Sequence, residues 1–190
     1  MNIFVLDTAP HRAAYEHCDK HVVKMIVEGA QMLSTAHRTL DGTQTTVQRY
    51  VNGSLPARYR NVKVWQLPDG REQQLYRATH ANHPCSIWCR ENDENYAWLW
   101  KLTAALCSEY YHRYGQHKKI PTKHKVEESG LLDLLMHPPK NIPIGNLTPF
   151  VQAMPDQYKD ANPVQAYRNY YLGEKQSILK YTHRTIPTWI

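Results

Sequence analysis

The sequence lacks any long hydrophobic run. No apolar stretch among its 190 residues approaches the length of roughly 18 residues that a membrane-spanning helix needs. The first residues, MNIFVLD, also lack a basic cluster, a long apolar stretch and a small-residue cleavage site, so they do not resemble a signal peptide. We therefore expect a cytoplasmic, non-secreted protein with no membrane partner. The 5 Trp and 13 Tyr residues exclude a disordered chain.

Cysteine is scarce, and its spacing contains no CxxC pair. Scattered thiols in a cytosolic protein are ordinarily reduced and buried, which we expect here, with a disulfide or a metal set as alternatives. The sequence also lacks an HExxH motif, and we expect no cofactor and no metal. The four cysteines are Cys18, Cys85, Cys89 and Cys107.

Acidic residues are outnumbered, since 23 Lys and Arg against 17 Asp and Glu give a net charge of +6. The excess is uneven: segment 41–80 has six cations and three acids, and segment 111–125 has five cations and no acid. A block of like charge repels itself unless a polyanion is near, so it favours a nucleic-acid partner, with a solvated loop as the alternative. The cations of the second segment are Arg113, Lys118, Lys119, Lys123 and Lys125.

Apolar residues recur with helical spacing over most of the chain, which predicts a mainly α fold. We expect one domain over 1–190, a helical bundle with a small β or irregular excursion at about 43–80. Helices are predicted at about 10–40, with a break near 18–19, and at 92–114, 123–136 and 162–172. Within the excursion the pattern predicts a hairpin of 62–66 with 73–76, and Asn52-Gly53 predicts a turn.

The most informative stretch is HCDKHVVKMIVEGAQ, residues 17–31. Its polar residues are spaced 4, 3, 4 and 3, so they form one face of a helix whose other positions are apolar. A polar stripe on a buried helix costs stability unless it is paired or functional, whereas an exposed amphipathic helix explains it without chemistry. The stripe consists of His17, His21, Lys24, Glu28 and Gln31.

Glu28 is the central candidate, because a half-buried carboxylate can act as a general base or stabilise a cationic transition state. Lys24 is then a salt-bridge partner or an amine nucleophile. Metal binding is the competing interpretation: His17 and His21 have zinc-ligand spacing on a helix, and Glu28 or His83 can complete a site. The cation of Lys24 within the stripe opposes this.

A second cluster, His80-Ala-Asn-His83-Pro, precedes another predicted helix. Backbone N–H groups at a helix start attract anions, so two histidines there can hold a DNA phosphate or an extruded base. The alternative is structural, with Asn82 as the helix cap and His83 packed beneath it.

Several of these motifs resemble the pyrimidine-dimer DNA glycosylases, also called endonuclease V, a small all-helical family. The segment 1–6 resembles its apolar N-terminus, the segment 19–28 its DxH…E helix with Glu28 as the catalytic glutamate, and Pro187-Thr-Trp189 its C-terminal tail. A broader bacterial branch has a similar DK-x3-K-x3-E-x2-Q pattern and an Asn-His-Pro followed by Trp, here at 82–84 and 88. The chain departs from the characterised enzymes at Asn2, Val27 and Gln31, where they have arginine.

The resemblance implies an N-glycosylase, with abasic-site lyase activity, that acts on a modified or damaged pyrimidine in duplex DNA with a displaced base. The family's nucleophile is an N-terminal α-amine; because Asn2 is bulkier than the residues that permit loss of methionine, Met1 is expected to supply it. We expect catalytic roles for Glu28, Met1, Lys24 and His21. The expected DNA contacts are Asn2, His17, Gln31, His80, His83, Arg113, Lys118, Lys119, Lys123 and Lys125.

Three other functions fit the same residues. A DNA-base-modifying transferase on this scaffold is favoured slightly by the missing arginines. A non-enzymatic nucleic-acid-binding protein would use Glu28 only to pair with Lys24. A metal-dependent hydrolase would use His17 and His21.

Overall fold

Eight α-helices and one antiparallel hairpin form the regular structure of the described residues, 1–50, 56 and 58–190, in a computed structural model of which 49% is helical. The mainly α prediction is therefore confirmed, and the expected turn at Asn52-Gly53 lies outside the described residues. The elements are α1 (Pro10–Glu16), α2 (Asp19–Asp41), β1 (Thr43–Tyr50), β2 (Tyr59–Gln66), α3 (Arg71–Gln74), α4 (Pro84–Cys89), α5 (Asp93–Arg113), α6 (Lys125–Glu128), α7 (Leu131–Leu135) and α8 (Pro163–Glu174).

The pairing of α2 with α5 forms the centre of the core, where each helix buries its apolar side chains. The two helices run antiparallel, since Asp19 at the start of α2 contacts Arg113 at the end of α5, and His37 contacts Tyr96. Asn92 caps α5 by accepting a hydrogen bond from the backbone N–H of Asn95 at 2.9 Å. The break predicted near 18–19 is confirmed between α1 and α2.

The N-terminal segment 2–6 lies inside this core and has neither helical nor strand structure. Ile3, Phe4, Val5 and Leu6 are each at most 5% exposed. Because apolar burial stabilises by roughly 25 cal/mol per Å², these side chains hold the chain's first residues against the body. Met1 is thereby held close to α2 and α4.

The predicted hairpin paired the strand at 62–66 with the wrong segment. β2 pairs with β1, from Thr43 opposite Gln66 to Tyr50 opposite Tyr59, and the segment predicted as the second strand includes the helical turn α3. The exposure of β1 alternates with the period of 2 that marks a strand.

The predicted helix at 123–136 is two short helices, α6 and α7. They are separated by Gly130, whose φ of 74° is a left-handed conformation that ends a helix. The proline-rich segment 137–159 that follows is irregular apart from one 3₁₀ turn at Asp156–Tyr158.

All four cysteines are buried free thiols, as expected. Within the part of the chain that the structure describes, no helix is both long and apolar enough to cross a membrane.

The crossing of α2 and α5 generates a stability prediction at Gly29. A Cβ at this position would overlap the Thr103 hydroxyl oxygen, which donates to the Leu99 carbonyl. Although alanine favours a helix by about 1 kcal/mol over glycine, we expect Gly29→Ala to destabilise the protein by about 1–3 kcal/mol. Urea unfolding measures the change.

Gly70→Ala is the matched control, because no atom lies within 4 Å of its added Cβ, and its stability should remain near that of the parent. In a Thr103→Ala background the hydroxyl that the new Cβ would overlap is gone, so Gly29→Ala should lower the free energy of unfolding much less. A more stable Gly29→Ala single variant would contradict the close helix contact.

Candidate active site at the N-terminus

The α-amine of Met1 lies beside the carboxylate of Glu28 on α2. The amine nitrogen is 3.7 Å from Glu28 Oε2, and the backbone N–H of Asn2 donates to the same oxygen at 2.9 Å. The other oxygen, Oε1, is 3.2 Å from the Lys24 ammonium, one helical turn back. Glu28 therefore holds the start of the chain with one oxygen and Lys24 with the other.

Asn2 fixes the direction in which the N-terminus points. Its side-chain N–H donates to the Ala153 carbonyl at 2.8 Å, and its side-chain oxygen accepts from the Tyr167 hydroxyl at 2.9 Å. With its backbone N–H bound to Glu28 as well, Asn2 connects three parts of the fold. The preceding amine is therefore positioned by Asn2.

The side chain of Met1 is anchored on α4. It is only 3% exposed, and its sulfur accepts a hydrogen bond from the Ser86 hydroxyl at 3.5 Å. Met1 as a whole is half-buried, so its accessible surface belongs mainly to the main chain, which includes the amine. The thioether is thus held inside the protein, and the exposed part of Met1 is its main chain.

Phe4 turns the chain between the N-terminus and the core. Its φ of 49° is uncommon for a residue with a side chain and carries strain that the surroundings must offset. Its ring stacks on His21 at 4.5 Å and meets Tyr171 edge-on at 5.4 Å. These aromatic contacts supply the compensation and connect the N-terminal segment to α2 and α8.

His83 is the third member of the site. It caps α4 by accepting a hydrogen bond from the Cys85 backbone N–H at 3.2 Å, which corrects the expectation that Asn82 is the cap. Burial lowers the pKa of His83, and the nearby positive charges of the Met1 amine and His80 lower it further, against the opposing effect of Glu28. His83 is therefore a neutral imidazole within electrostatic range of both the amine and Glu28.

His80 lies at the surface, with a φ of 49° and a hydrogen bond of 2.8 Å between its ring nitrogen and the Thr79 hydroxyl. Gln31, one turn beyond Glu28, is half-buried. Both remain accessible near the Met1–Glu28 pair, which is compatible with the DNA contacts expected of them. Those contacts stay predictions.

The placement of His17 corrects the predicted stripe. His17 follows α1 and precedes α2, so it does not share the helix face of Lys24 and Glu28. Its ring is fully buried, and its Nδ1 donates to the Ala13 carbonyl at 2.6 Å. His21 does lie on α2, but it is buried against Phe4, and its Nδ1 is hydrogen-bonded to the Tyr171 hydroxyl at 2.5 Å.

The structure does not bring these histidines together with a third ligand as the metal-binding interpretation requires. The two ring centroids are 6.4 Å apart. Among the described residues, no three His, Cys, Asp or Glu side chains group as a metal ion would require.

Arg113 is also structural in placement. It is 1% exposed, and its guanidinium bonds the carboxylates of Asp19 and Glu109 and the carbonyls of Tyr15 and His17. Burial of Asn2, His17 and Arg113 leaves no surface for the DNA contacts expected of them. We therefore replace that expectation with roles in positioning the N-terminus and α2.

The other members of the basic segment are exposed. They follow the C-terminal end of α5, next to the start of α2, which lies about 13 Å from Glu28 at the rise of an α-helix. Lys123 pairs with Glu127 at 2.6 Å, and Lys118 lies over the Tyr110 ring at 5.8 Å. The exposed lysines are Lys118, Lys119, Lys123 and Lys125.

Sequence reasoning missed Tyr167, Ser86 and Cys85 as neighbours of the N-terminus. The Cys85 thiol is 3.7 Å from the Asn2 side-chain oxygen, but burial raises its pKa to about 12, so it is an unreactive thiol. The Asn-His-Pro motif at 82–84 was a signal for α4. Tyr167, which is 165 positions from Asn2, gave none.

This arrangement has the parts of a nucleophilic site: an α-amine, a carboxylate within 4 Å of it and a neutral imidazole nearby. Lys24 is the second amine of the site, but its side chain is 64% exposed. Desolvation, which activates lysine nucleophiles, is therefore absent there. Met1 is the better placed of the two.

Comparison of the chain with models of known families, with curated proteins and with solved structures finds no match.

Burial of neutral histidines predicts that acid destabilises the protein. Desolvation lowers the pKa of His21 to about 3, and of His17 and His37 to about 4. Between about pH 4 and 6.5 the unfolded chain binds these protons and the folded chain does not. The free energy of unfolding should thus be greatest above about pH 6.5 and fall on acidification, by up to about 1.4 kcal/mol per pH unit for each histidine.

Urea unfolding at several pH values tests this, with His21→Gln expected to remove about one proton from the dependence. His11→Gln is the control, because His11 is exposed and its replacement should leave the slope unchanged. An unaltered slope in His21→Gln would show that His21 is not a buried neutral group.

Proposed function

We propose that this protein is a DNA-acting enzyme, an N-glycosylase with abasic-site lyase activity on a modified or damaged pyrimidine. The observation that carries the proposal is the distance of 3.7 Å between the Met1 amine and Glu28. The resemblance of residues 19–28 to the glutamate helix of the pyrimidine-dimer glycosylases predicted a partnership between these two groups. The sequence motifs do not by themselves place the amine near Glu28, so the proximity of the two groups supports the proposal in addition to the resemblance.

The chemistry starts at the amine. After a target nucleotide is displaced from the duplex, the Met1 nitrogen attacks the sugar C1′, and the electron pair of the C1′–N bond leaves with the base. Loss of a proton from nitrogen and opening of the sugar ring give a Schiff base. An α-amine suits this step because it is much less basic than lysine and more of it is neutral near neutral pH.

Glu28 has two roles in the proposed reaction. Its carboxylate stabilises the positive charge that develops on the sugar as the base leaves, at an oxygen already turned toward the amine. In the lyase step a carboxylate removes the C2′ proton, after which the 3′ phosphate is expelled. Half-burial of Glu28 favours both roles, because electrostatic interactions are stronger away from bulk water.

The surroundings of the amine suit a DNA ligand. Lys24 pairs with Glu28, and His83 lies within electrostatic range of the amine and of His80. The exposed lysines of 118–125 lie near the start of the same helix, α2. Phosphate contacts of this kind position the duplex and do not read its sequence. His83, as a neutral imidazole, can donate a hydrogen bond to a displaced base or to a phosphate.

A specific observation also favours a second candidate, a nucleic-acid-binding protein without this chemistry. Glu28 already bonds the Asn2 backbone N–H at 2.9 Å and pairs with Lys24, so it is satisfied as a structural anchor of the N-terminus. A base-modifying transferase on the same scaffold would also keep Glu28 but would form no Schiff base. The following two experiments separate these functions.

Glu28→Gln should retain the fold and DNA binding but lose base release and abasic-site cleavage by about 10²–10⁴-fold. Glutamine has nearly the same shape, and its side-chain oxygen can still accept from the Asn2 N–H, whereas the charge and the proton acceptor are lost. Rates are measured on labelled duplexes at saturating protein, with circular dichroism as the check of folding.

Glu94→Gln is the matched control: it removes one exposed negative charge elsewhere and should leave both rates near those of the parent. Equal rates for parent and Glu28→Gln would remove Glu28 from the mechanism. Unfolding of Glu28→Gln alone would assign Glu28 to the structural role.

Borohydride should trap the parent protein covalently on an abasic oligonucleotide, because it reduces the Schiff base to a stable amine. Peptide mass analysis should locate the adduct on Met1, and Lys24→Gln should trap as well as the parent. An adduct on Lys24 would identify a different nucleophile. Binding without any trapping would favour the transferase or the pure binding protein.

A further inference from the structure

The hairpin forms a positively charged ribbon at the C-terminal end of α2. We use the term ribbon for β1, β2 and Arg58. Its eight paired positions extend for roughly 25 Å at the rise of a β-strand. The ribbon has no acidic residue in its described part, and its cations are Arg49, Arg58, Arg60 and Lys63.

Two of these cations directly oppose each other. Arg49 and Arg60 are cross-strand partners and project from the same face of the ribbon. Neither forms a salt bridge with any of the described residues. Since like charges at opposed positions destabilise a hairpin, this pair costs stability unless an anion lies between the two guanidinium groups.

The same face borders a crevice between the ribbon and the segment 72–78. The crevice has a volume of about 380 Å³, and Arg49 and Arg77 are among its lining residues. Its acidic side chain, Glu72, is bound by the guanidinium of Arg38 and is outnumbered by the lining cations Arg49, Lys63 and Arg77. The face is therefore suited to a phosphate.

The opposite face ends in an aromatic pair. Tyr50 and Tyr59 are 46% and 65% exposed, with ring centroids 5.8 Å apart. Tyrosine rings combine an apolar face with a polar hydroxyl and are suited to contacts with sugars and bases. Cations and aromatics thus occur together at the distal end of the ribbon.

We propose that the ribbon is a second DNA-contacting element that binds duplex DNA from the major groove, with Arg49 and Arg60 on phosphates. The major groove of B-DNA, about 12 Å wide, admits a two-stranded ribbon. The major groove of duplex RNA is too deep and narrow for it. Arginine suits the contact because its guanidinium binds phosphate through two parallel hydrogen bonds.

The position of the ribbon along α2 agrees with a single duplex. From Glu28 to the end of α2 at Asp41 is about 20 Å, and from Glu28 to its start at Asp19 is about 13 Å. The ribbon adjoins the first end and the exposed lysines of 118–125 lie near the other. DNA that follows α2 would meet cations on both sides of the amine.

The test compares the parent with Arg49→Gln/Arg60→Gln in binding to a duplex DNA between 50 and 200 mM salt. Each phosphate contact contributes about 0.9 to the slope of log K against log salt, so the parent should lose about tenfold more affinity than the variant over this range. Arg12→Gln/Lys101→Gln removes the same charge from exposed positions on α1 and α5 and should keep the parental slope.

Thermal unfolding of Arg49→Gln/Arg60→Gln should occur at or above the parental temperature, because a repulsive pair is removed. A lower temperature would mean that the arginines stabilise the fold, which overturns the proposal. So would a parental salt slope, or an equal loss in the control variant.

Binding of the parent and of Arg49→Gln/Arg60→Gln is also measured with duplex RNA of the same sequence and with anionic lipid vesicles. An equal effect of Arg49→Gln/Arg60→Gln on RNA, or an effect on vesicles alone, would overturn the assignment to the DNA major groove. Glu28→Gln should keep the parental salt slope. If the protein has no glycosylase or lyase activity but Arg49→Gln/Arg60→Gln still lowers the salt slope, the proposed reaction fails and this inference stands. If the activity is present but the variant keeps the parental slope, this inference fails and the proposed reaction stands.

Discussion

Burial of α2 is the constraint on which the rest of the structure depends. This helix lies at the centre of the fold and still carries charged and polar side chains, each of which costs free energy in the core unless it is paired. The partners come from nearly every other part of the chain, so satisfying them positions those parts. The pairs are Asp19 with Arg113 and Thr182, His21 with Tyr171, Glu28 with the N-terminus, His37 with Tyr96, and Arg38 with Glu72.

Local signals in the sequence predicted the helices that depend on periodicity and caps. The spacing of apolar residues identified α2 and α5, and Asn92 marked the start of α5, because both signals act within a few residues. The hairpin was assigned the wrong partner for the opposite reason. Strand pairing is set by contacts across a turn, and β2 has apolar alternation that either neighbouring segment can match.

The candidate site shows the same division between local and distant information. Helical spacing placed Lys24 four residues before Glu28, and the structure has their salt bridge at 3.2 Å. Spacing alone extended the stripe to His17, because nothing within the stripe shows that the helix begins two residues later at Asp19. The contact of Asn2 with Tyr167 joins the two ends of the chain and has no periodic signature, so the geometry of the amine could be predicted only through a resemblance.

The closed base of the ribbon makes it a modular insertion in the helical body. Thr43 pairs with Gln66 where the ribbon begins and ends, and Arg38 binds the carbonyls of Trp65 and Leu75 beside that junction. None of the described residues of β1 or β2 belongs to the buried core. Because its entry and exit are adjacent, the ribbon can be shortened, lengthened or exchanged during evolution without disturbing α2 and α5. A change in the ribbon would therefore leave the arrangement around the N-terminus intact.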